Sequence, residues 1–401
     1  MPGSLCRWRT RGEPFPVESR GVWFPIVLAL ARVTHTPFEL TGATGGPGAL
    51  PAPAAAVAPR PIQPIVFAFG RLGDMVVLSA ALHLLHQRFG RRCLVIGAGP
   101  WNSALFEGHP DVERVLSFSR HIPFMLSAAW WQLLVSLQRD RSGPIYVYER
   151  SPRQLARIRR MLAVTGVDAR RCLFVGDIAN ESESWFDRYV QLGQLTPPAI
   201  GQVYAEASGR PAPRLYVSDA ERQERDSWLQ ARGWLGRRLV LLQPGNFRTM
   251  SRRREEYRRL NKDDKAWPIE NWVALVRKVL DTSPDTRVVL CGAPQEGGLL
   301  REIEMGVANA NVIAAELRLR QLLALSESAH SMVSVDTGPA HAAAALGLPL
   351  VVLFGAESQR VWLPRSSSGS TVLGLGGPPY SHRVDEISLD AVYSAWCSLK
   401  R

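Results

Sequence analysis

Short apolar runs alternate with amphipathic stretches along this chain from residue 64 onwards. The first run, Pro64–Phe69, precedes a stretch, Met75–Phe89, in which apolar residues recur with helical spacing. The same order of apolar run and amphipathic stretch repeats almost to the end of the chain. Strands buried on both faces are continuously apolar, and their alternation with helices is typical of parallel sheets. The pattern therefore predicts an α/β protein.

Changes in composition divide the chain into five segments. Residues 62–200 and 214–385 are predicted to form two doubly wound, Rossmann-like units that face each other across a cleft. A linker rich in proline and glycine, 201–213, joins them. Residues 386–401 are predicted to form a final helix that packs back on the first unit. Residues 1–61, rich in glycine, proline and alanine towards their end, are interpreted as a disordered leader or a mis-assigned start.

The net charge of the chain predicts that its partners are anionic. The chain has 401 residues, of which 46% are hydrophobic, and this length suits two globular domains better than one. Its formal net charge is +12, so its surface is expected to attract anions. Nucleic acid, anionic lipid, lipopolysaccharide core and nucleotide sugars are all compatible with this charge. No stretch reaches the roughly 20 apolar residues that a bilayer span requires.

Two kinds of cofactor chemistry are disfavoured. The five cysteines are scattered and lack the paired spacing of metal sites, so neither a metal nor a cofactor is predicted. The loop Gly70–Asp74 after the first strand lacks the three-glycine spacing of dinucleotide-binding folds. A dinucleotide-dependent oxidoreductase is therefore disfavoured.

The stretch Ser334–His341 has the strongest chemical pattern in the chain. It combines the end of a strand, a tight turn and a helix that opens on small residues, which points backbone N–H groups and a positive dipole end out of the loop. Such a helix start binds phosphate. Thr337 and His341 lie one helical turn apart, and Gly338 permits close approach of a ligand. The alternative, an ordinary capped helix with a packed core histidine, stays open on this pattern alone.

Other polar loops also follow apolar strands. Doubly wound units bind ligands outside the carboxyl ends of their strands. The loops at these ends are Gly70–Asp74, Gln243–Arg248, Gly292–Glu296, Asp336–His341 and Gly355–Gln359. We therefore expect the ligand site to be assembled from these loops.

Four motifs, in their order along the chain, resemble those of glycosyltransferase family 9. The resemblance rests on Gly73 and Asp74, on residues 262–268, on Gly292–Glu296 and on Ser334–His341 with the Leu-Phe-Gly that follows. It covers about residues 64–400. The resemblance implies a GT-B architecture with the acceptor bound by the N-terminal unit and the donor by the C-terminal unit. It also implies inverting, metal-independent transfer of a heptose or related sugar from an ADP-activated donor to a lipopolysaccharide core acceptor, with no nucleic acid involved. The implied location is cytoplasmic, peripheral on the inner-membrane face.

The resemblance also implies roles for individual residues. Asp74 is the expected general base, since inverting transfer needs a carboxylate to take the proton of the acceptor hydroxyl. The alternative for Asp74 is a plain cap of the following helix. Lys265 is expected to neutralise the leaving diphosphate, and its alternative is a solvated lysine in a charged loop.

The remaining site residues divide between donor and acceptor. The residues expected to bind the donor are Asn246, Gly292, Glu296, Asp336, Thr337, Gly338 and His341. Glu296 is expected to accept hydrogen bonds from the ribose hydroxyls, or else to interact favourably with the dipole of its helix. Asp336 is expected to lie near the sugar or to cap its helix. Arg71 and Gly73 are expected to bind the acceptor.

Some features depart from the family pattern or leave alternatives open. Leu260 and Asn261 occupy positions where the family usually has hydroxyl residues. Residues 248–262 form a basic insertion relative to the family pattern. This insertion is either a solvated loop or a clamp for a phosphorylated acceptor or an anionic membrane. The aromatic segment 124–131 is either an interfacial patch for a lipid-linked acceptor or core. The functional alternatives are a GT-B nucleotide-sugar epimerase and a non-catalytic nucleotide-sugar or anionic-glycan binding protein.

Overall fold

The computed structural model describes residues 60–399, except for 100, 120–121, 179–181, 203, 205–206, 208 and 251–262. The segment 1–59, which holds nearly all of the predicted leader, therefore lies outside the described residues. Most of the basic insertion does too. The described chain contains two parallel sheets, which confirms the predicted α/β class.

The first lobe is built on a sheet of five strands in the order β3-β2-β1-β4-β5. The strands are β1 (Ile65–Ala68), β2 (Cys93–Ala98), β3 (Val112–Phe118), β4 (Ile145–Val147) and β5 (Cys172–Phe174). The helices are α1 (Leu72–Phe89), α2 (Trp101–Phe106), α3 (Ala128–Arg139), α4 (Pro152–Thr165) and α5 (Trp185–Gln194). Every residue of β1, β2 and β4 is buried, because helices cover both faces of the sheet.

The second lobe is built on a sheet of six strands in the order β11-β10-β9-β6-β7-β8. The strands are β6 (Leu239–Gln243), β7 (Arg287–Gly292), β8 (Val312–Glu316), β9 (Ser331–Val335), β10 (Leu350–Phe354) and β11 (Val372–Gly376). The helices are α6 (Asp219–Gln230), α7 (Ile269–Thr282), α8 (Gly297–Val307), α9 (Leu319–Ser328), α10 (Gly338–Ala345), α11 (Gln359–Trp362) and α12 (Leu389–Cys397).

Each sheet has one topological switch point, where the chain moves from one side of the first strand to the other. In the first lobe this point lies between β1 and β4, and in the second lobe it lies between β6 and β9. Ligands of doubly wound folds bind in the crevice at such a point. The loops after these four strands are therefore the places to look for a site.

The final helix, α12, packs on the second lobe, so the prediction that it returns to the first unit is wrong. Val392 and Trp396 are buried in the core formed by the second sheet and α7. The indole nitrogen of Trp396 also donates to Oγ of Ser331 at 2.9 Å. Burial of this indole, with its N–H bonded to β9, fixes the end of the described chain to the second lobe.

The two lobes meet where α1 and α10 begin. A Cβ atom placed on Gly338 would lie 2.7 Å from Cβ of Leu72, so only glycine permits this approach. Further along, Ala342 and Ala345 of α10 share one apolar cluster with the buried face of α1. Among the described helices, none combines the length and the hydrophobicity needed to cross a bilayer.

Candidate functional site

Asp74 lies in the first turn of α1, which begins three residues earlier than the sequence predicts. Its Oδ2 accepts the backbone N–H of the N-cap residue Arg71 at 2.8 Å, so Asp74 closes a capping box from position N3 and is not itself the N-cap. Its Oδ1 accepts a hydrogen bond from Nη2 of Arg150, also at 2.8 Å. The side chain of Asp74 is thus both a cap and one half of an ion pair, and only 8% of the residue is exposed.

Arg150, which the sequence analysis missed, lies against two indole rings that stack on each other. It follows β4, at the switch point of the first sheet. Its guanidinium carbon lies 4.7 Å from the ring centroid of Trp185 and 4.6 Å from that of Trp362. Trp185 belongs to the first lobe and Trp362 to the second, so this cluster spans both. The three residues are far apart in sequence and show no common pattern, which is why only the fold identifies them.

The side-chain amine of Lys265 lies at the end of β9, beside the loop that is predicted to bind phosphate. Its Nζ donates to Oδ2 of Asp336 at 2.6 Å and approaches the backbone oxygen of the same residue at 3.2 Å. Both side chains are largely buried. Asp336 therefore binds the lysine and does not cap α10. The N-cap position belongs to Thr337, whose hydroxyl donates to the Val335 carbonyl instead of capping the helix.

His341 lies in the first half of α10 and faces the first lobe. A Cβ atom placed on Gly73 would lie 3.1 Å from Cδ2 of His341. The imidazole ring of His341 also meets the indole of Trp362 edge-on, with 6.2 Å between the ring centroids. Burial lowers the pKa of His341, although the carboxylates of Asp336 and Asp74 act in the opposite direction. The imidazole is therefore neutral at pH 7. A neutral ring can donate one hydrogen bond to a bound group but adds no positive charge.

Asn246, after β6, belongs to a polar network that holds the loop before α7. Its side-chain amide donates to both oxygens of Asp263, at 3.2 and 3.1 Å. Asp263 also accepts the backbone N–H of Lys265 at 3.1 Å and a guanidinium N–H of Arg248 at 3.2 Å. Arg248 contacts Asp264 as well. Asp263 thus fixes the backbone that carries Lys265, and its place within the 262–268 motif was the signal that could have identified it.

Glu296 lies beneath the loop that follows β6 and is only 3% exposed. Thr249 Oγ1 donates to its Oε1 at 2.7 Å, and the backbone N–H of Ala293 donates to its Oε2 at 2.9 Å. Burial raises the pKa of the Glu296 carboxyl, while these two hydrogen bonds act against that rise. Gly292, the last residue of β7, packs beside it. The predicted ribose contact of Glu296 stays a prediction.

The residues predicted for the acceptor lie against loops of the second lobe. The guanidinium of Arg71 lies over the ring of Phe247 at 4.8 Å. Arg248 lies over the same ring at 5.3 Å. Together with the approach of Gly73 to His341, these contacts bring the loop after β1 against the loops after β6 and β9.

The structure therefore brings loops that carry predicted residues of both lobes against each other. Asp74 from the first lobe and the Lys265–Asp336 pair from the second are all close enough to His341 on α10 to act on its pKa. Hydrogen bonds through Asp263 and Thr249 connect the Lys265 loop with Asn246 and Glu296. A carboxylate close to a helix start is an arrangement suited to transfer of an activated group. The departures at Leu260 and Asn261 lie outside the described residues.

A family model described as "Glycosyltransferase family 9 (heptosyltransferase)" matches residues 256–389. Lipopolysaccharide heptosyltransferase 1 of Salmonella typhimurium is 35% identical over 95 residues, which is 23% of this chain and 29% of that protein. The aligned segment thus spans less than a third of this relative's length.

Solved structures extend the comparison to almost the whole fold. A glycosyl transferase family 9 protein from Veillonella parvula aligns with a TM-score of 0.64 at 12% identity, covering 84% of this chain and 96% of that one. E. coli heptosyltransferase WaaC, solved with ADP, aligns with a TM-score of 0.59 at 18% identity, covering 83% of this chain and 98% of that one. The same protein with ADP-2-deoxy-2-fluoro heptose gives a TM-score of 0.57.

Two doubly wound lobes that contribute facing loops to one site define a protein of the GT-B class, and these neighbours share that fold. Over residues 256–389 the chain is similar to glycosyltransferase family 9, and its two-lobed fold is similar to that of the solved structures. The resemblance drawn from the motifs and the predicted architecture are therefore both confirmed.

Proposed function

We propose that this protein is an inverting, metal-independent glycosyltransferase that moves a heptose or related sugar from an ADP-activated donor to a lipopolysaccharide core acceptor. The observation that carries the proposal is the contact between the loop bearing Asp74 and the first turns of α10, with Lys265 beside them. A carboxylate, a lysine and a helix start this close together support the transfer of a sugar from a diphosphate donor. The relative and the neighbour structures support the choice of donor and acceptor.

The chemistry assigned to the site needs three groups. Asp74 takes the proton of the acceptor hydroxyl while the hydroxyl oxygen attacks the anomeric carbon from the face opposite the diphosphate. The bond between the anomeric carbon and the phosphate oxygen breaks, and the charge stays on the departing ADP. Lys265 and the N–H groups at the start of α10 stabilise that charge, with Arg248 next to them.

Ligand-induced stabilisation tests the donor. We expect ADP and ADP-heptose to raise the midpoint of thermal unfolding by several degrees, because a ligand at 100 times its Kd adds about 2.7 kcal/mol to stability. UDP and GDP sugars at the same concentration serve as controls, and transfer to a core oligosaccharide is measured next. Stabilisation by UDP sugars alone would contradict the proposed donor. Stabilisation by ADP-heptose without transfer to any core acceptor would support the binding-protein alternative.

An exposed apolar face of the first lobe supports a membrane-bound acceptor. Its exposed apolar side chains are Ile122, Met125, Leu126, Trp131 and Val135. Trp131, Val135 and Arg139 follow each other at four-residue spacing on α3, and Arg114 lines the same shallow depression. Exposed apolar side chains beside arginines suit the surface of an anionic bilayer. Of the two indoles in this segment, Trp130 is buried, as the core alternative predicts, and Trp131 is exposed, so the interfacial alternative stays a prediction for Trp131.

Vesicle flotation tests this surface. We expect the variant Leu126→Asp/Trp131→Asp to lose about tenfold or more of its binding to phosphatidylcholine vesicles that contain phosphatidylglycerol, since two exposed apolar side chains that would enter the bilayer are replaced by charges. Met305→Asp on α8 is the matched control, because Met305 is 71% exposed and Leu126 is 76% exposed. Equal binding by the double variant and the control would contradict the assignment. Loss of self-association by the double variant would instead identify the face as a contact between copies.

A further inference from the structure

Arg150 makes an ion pair that the proposed mechanism does not explain. The expected base, Asp74, already has a backbone partner in Arg71, yet a guanidinium from another loop occupies its second oxygen. The carboxylate therefore has both oxygens oriented, one from its own helix and one from the loop after β4. An orienting contact on a general base restricts the directions from which a substrate hydroxyl can approach it.

The backbone of Arg150 is fixed by its neighbour. Glu149 is 6% exposed, and its Oε1 accepts the backbone N–H groups of Arg150 and Ser151 at 2.9 and 2.7 Å. Its other oxygen accepts the N–H of Phe69, just after β1, at 3.1 Å. One buried carboxylate thus joins the two loops at the switch point of the first sheet. The backbone of Arg150 is therefore held at a fixed position relative to the loop that leads to Asp74.

The side chain of Arg150 is fixed by both lobes. Trp185, which opens α5, provides one indole face, and Arg188 lies over the same indole at 4.6 Å. Trp362, which closes α11, provides a second indole, and its ring also meets His341. The two indoles stack on each other with centroids 6.5 Å apart, and the guanidinium lies against both rings. A planar guanidinium makes such contacts better than the compact ammonium of lysine. This aromatic cluster is complete only while α5 and α11 face each other.

We propose that Arg150 is a positioning residue that makes the orientation of Asp74 depend on the closed arrangement of the two lobes. The physical connection runs from Asp74 through Arg150 to Trp362 and His341, that is, from the expected base to the expected phosphate site. When the second lobe moves away, Trp362 leaves the aromatic cluster and Arg150 loses one of its two indole contacts. The base is then oriented only when the donor site is in place. This inference rests on the proposed function of the site.

Steady-state kinetics of four variants test the positioning role. We expect Arg150→Met to lower kcat by about a hundredfold, the scale of a misplaced reacting group, with the acceptor KM within about threefold of the wild type. Trp362→Leu, which does not touch Asp74, should lower kcat about tenfold, and Arg150→Lys should resemble it because it keeps the charge without the stack. The double variant Arg150→Met/Trp362→Leu should be no slower than Arg150→Met.

The matched control is Trp228→Leu, at a half-buried indole stacked by Arg232 at 4.0 Å on α6, which should leave kcat unchanged. Multiplicative losses in the double variant, full activity of Arg150→Lys, or a large rise in acceptor KM with kcat retained would overturn the positioning role. The last result would make Arg150 an acceptor-binding residue. Absence of transfer by the wild type with every donor would refute the proposed function and the positioning role together.

Discussion

Replacing Asp74 by asparagine is expected to lower kcat for sugar transfer by about a thousandfold, within the range by which general bases accelerate reactions. Asparagine keeps an oxygen that can accept the Arg71 N–H, so α1 should still be capped. It cannot take a proton from the acceptor hydroxyl. The loss should therefore appear in kcat under saturating donor and acceptor, measured by release of ADP.

The control for this variant is Asp177→Asn, in the same lobe, whose carboxylate is 3.7 Å from Arg159 and mostly exposed. It should transfer sugar at the wild-type rate. Thermal unfolding of Asp74→Asn should remain close to the wild type, because Arg150 is still partly solvated after the change. A kcat within threefold of the wild type would show that another group accepts the proton.

Replacing Lys265 by methionine is expected to lower kcat/KM for the donor by about a hundredfold or more, the scale measured when one donor to a developing charge is removed. It should also cost about 1–3 kcal/mol of stability, because the mostly buried carboxylate of Asp336 loses its cation. Denaturant unfolding measures the second effect and initial rates measure the first.

Two further variants separate these effects. Lys265→Met/Asp336→Asn removes the uncompensated charge and should recover most of the stability but not the transfer rate. Lys278→Met removes a lysine that is 3.0 Å from Asp390, in a pair that is largely exposed, and should change neither quantity by much. Recovery of transfer by the double variant would mean that Lys265 acts only by neutralising Asp336.

The fold was predictable because its strands are apolar throughout. The predicted apolar run Pro64–Phe69 contains β1, Ile65–Ala68, and all four residues of that strand are buried. The strand Val372–Gly376 was missed, since it contains two glycines and a single β-branched residue. It forms an edge of the second sheet, where pairing with β10 and not its own propensity makes it a strand.

The candidate site was predictable only where one loop carries a whole motif. Ser334–His341 supplies a helix start, a hydroxyl and an imidazole within one turn, and local spacing shows this. Arg150 and Trp362 could not be predicted in the same way, because they meet through the packing of α5 against α11. The capping alternative for Asp336 was wrong for the same reason, since its partner Lys265 is distant in sequence, whereas its expected place near the sugar stays a prediction.

The central claim is that the two lobes divide the reaction, with the base on one and the diphosphate site on the other. Calorimetric titration of ADP into the wild type, Asp74→Asn and Lys265→Met tests it most directly. We expect Asp74→Asn to bind ADP within about twofold of the wild type and Lys265→Met to bind it at least tenfold more weakly, a difference of about 1.4 kcal/mol. Equal ADP affinity for the wild type and Lys265→Met would contradict the claim.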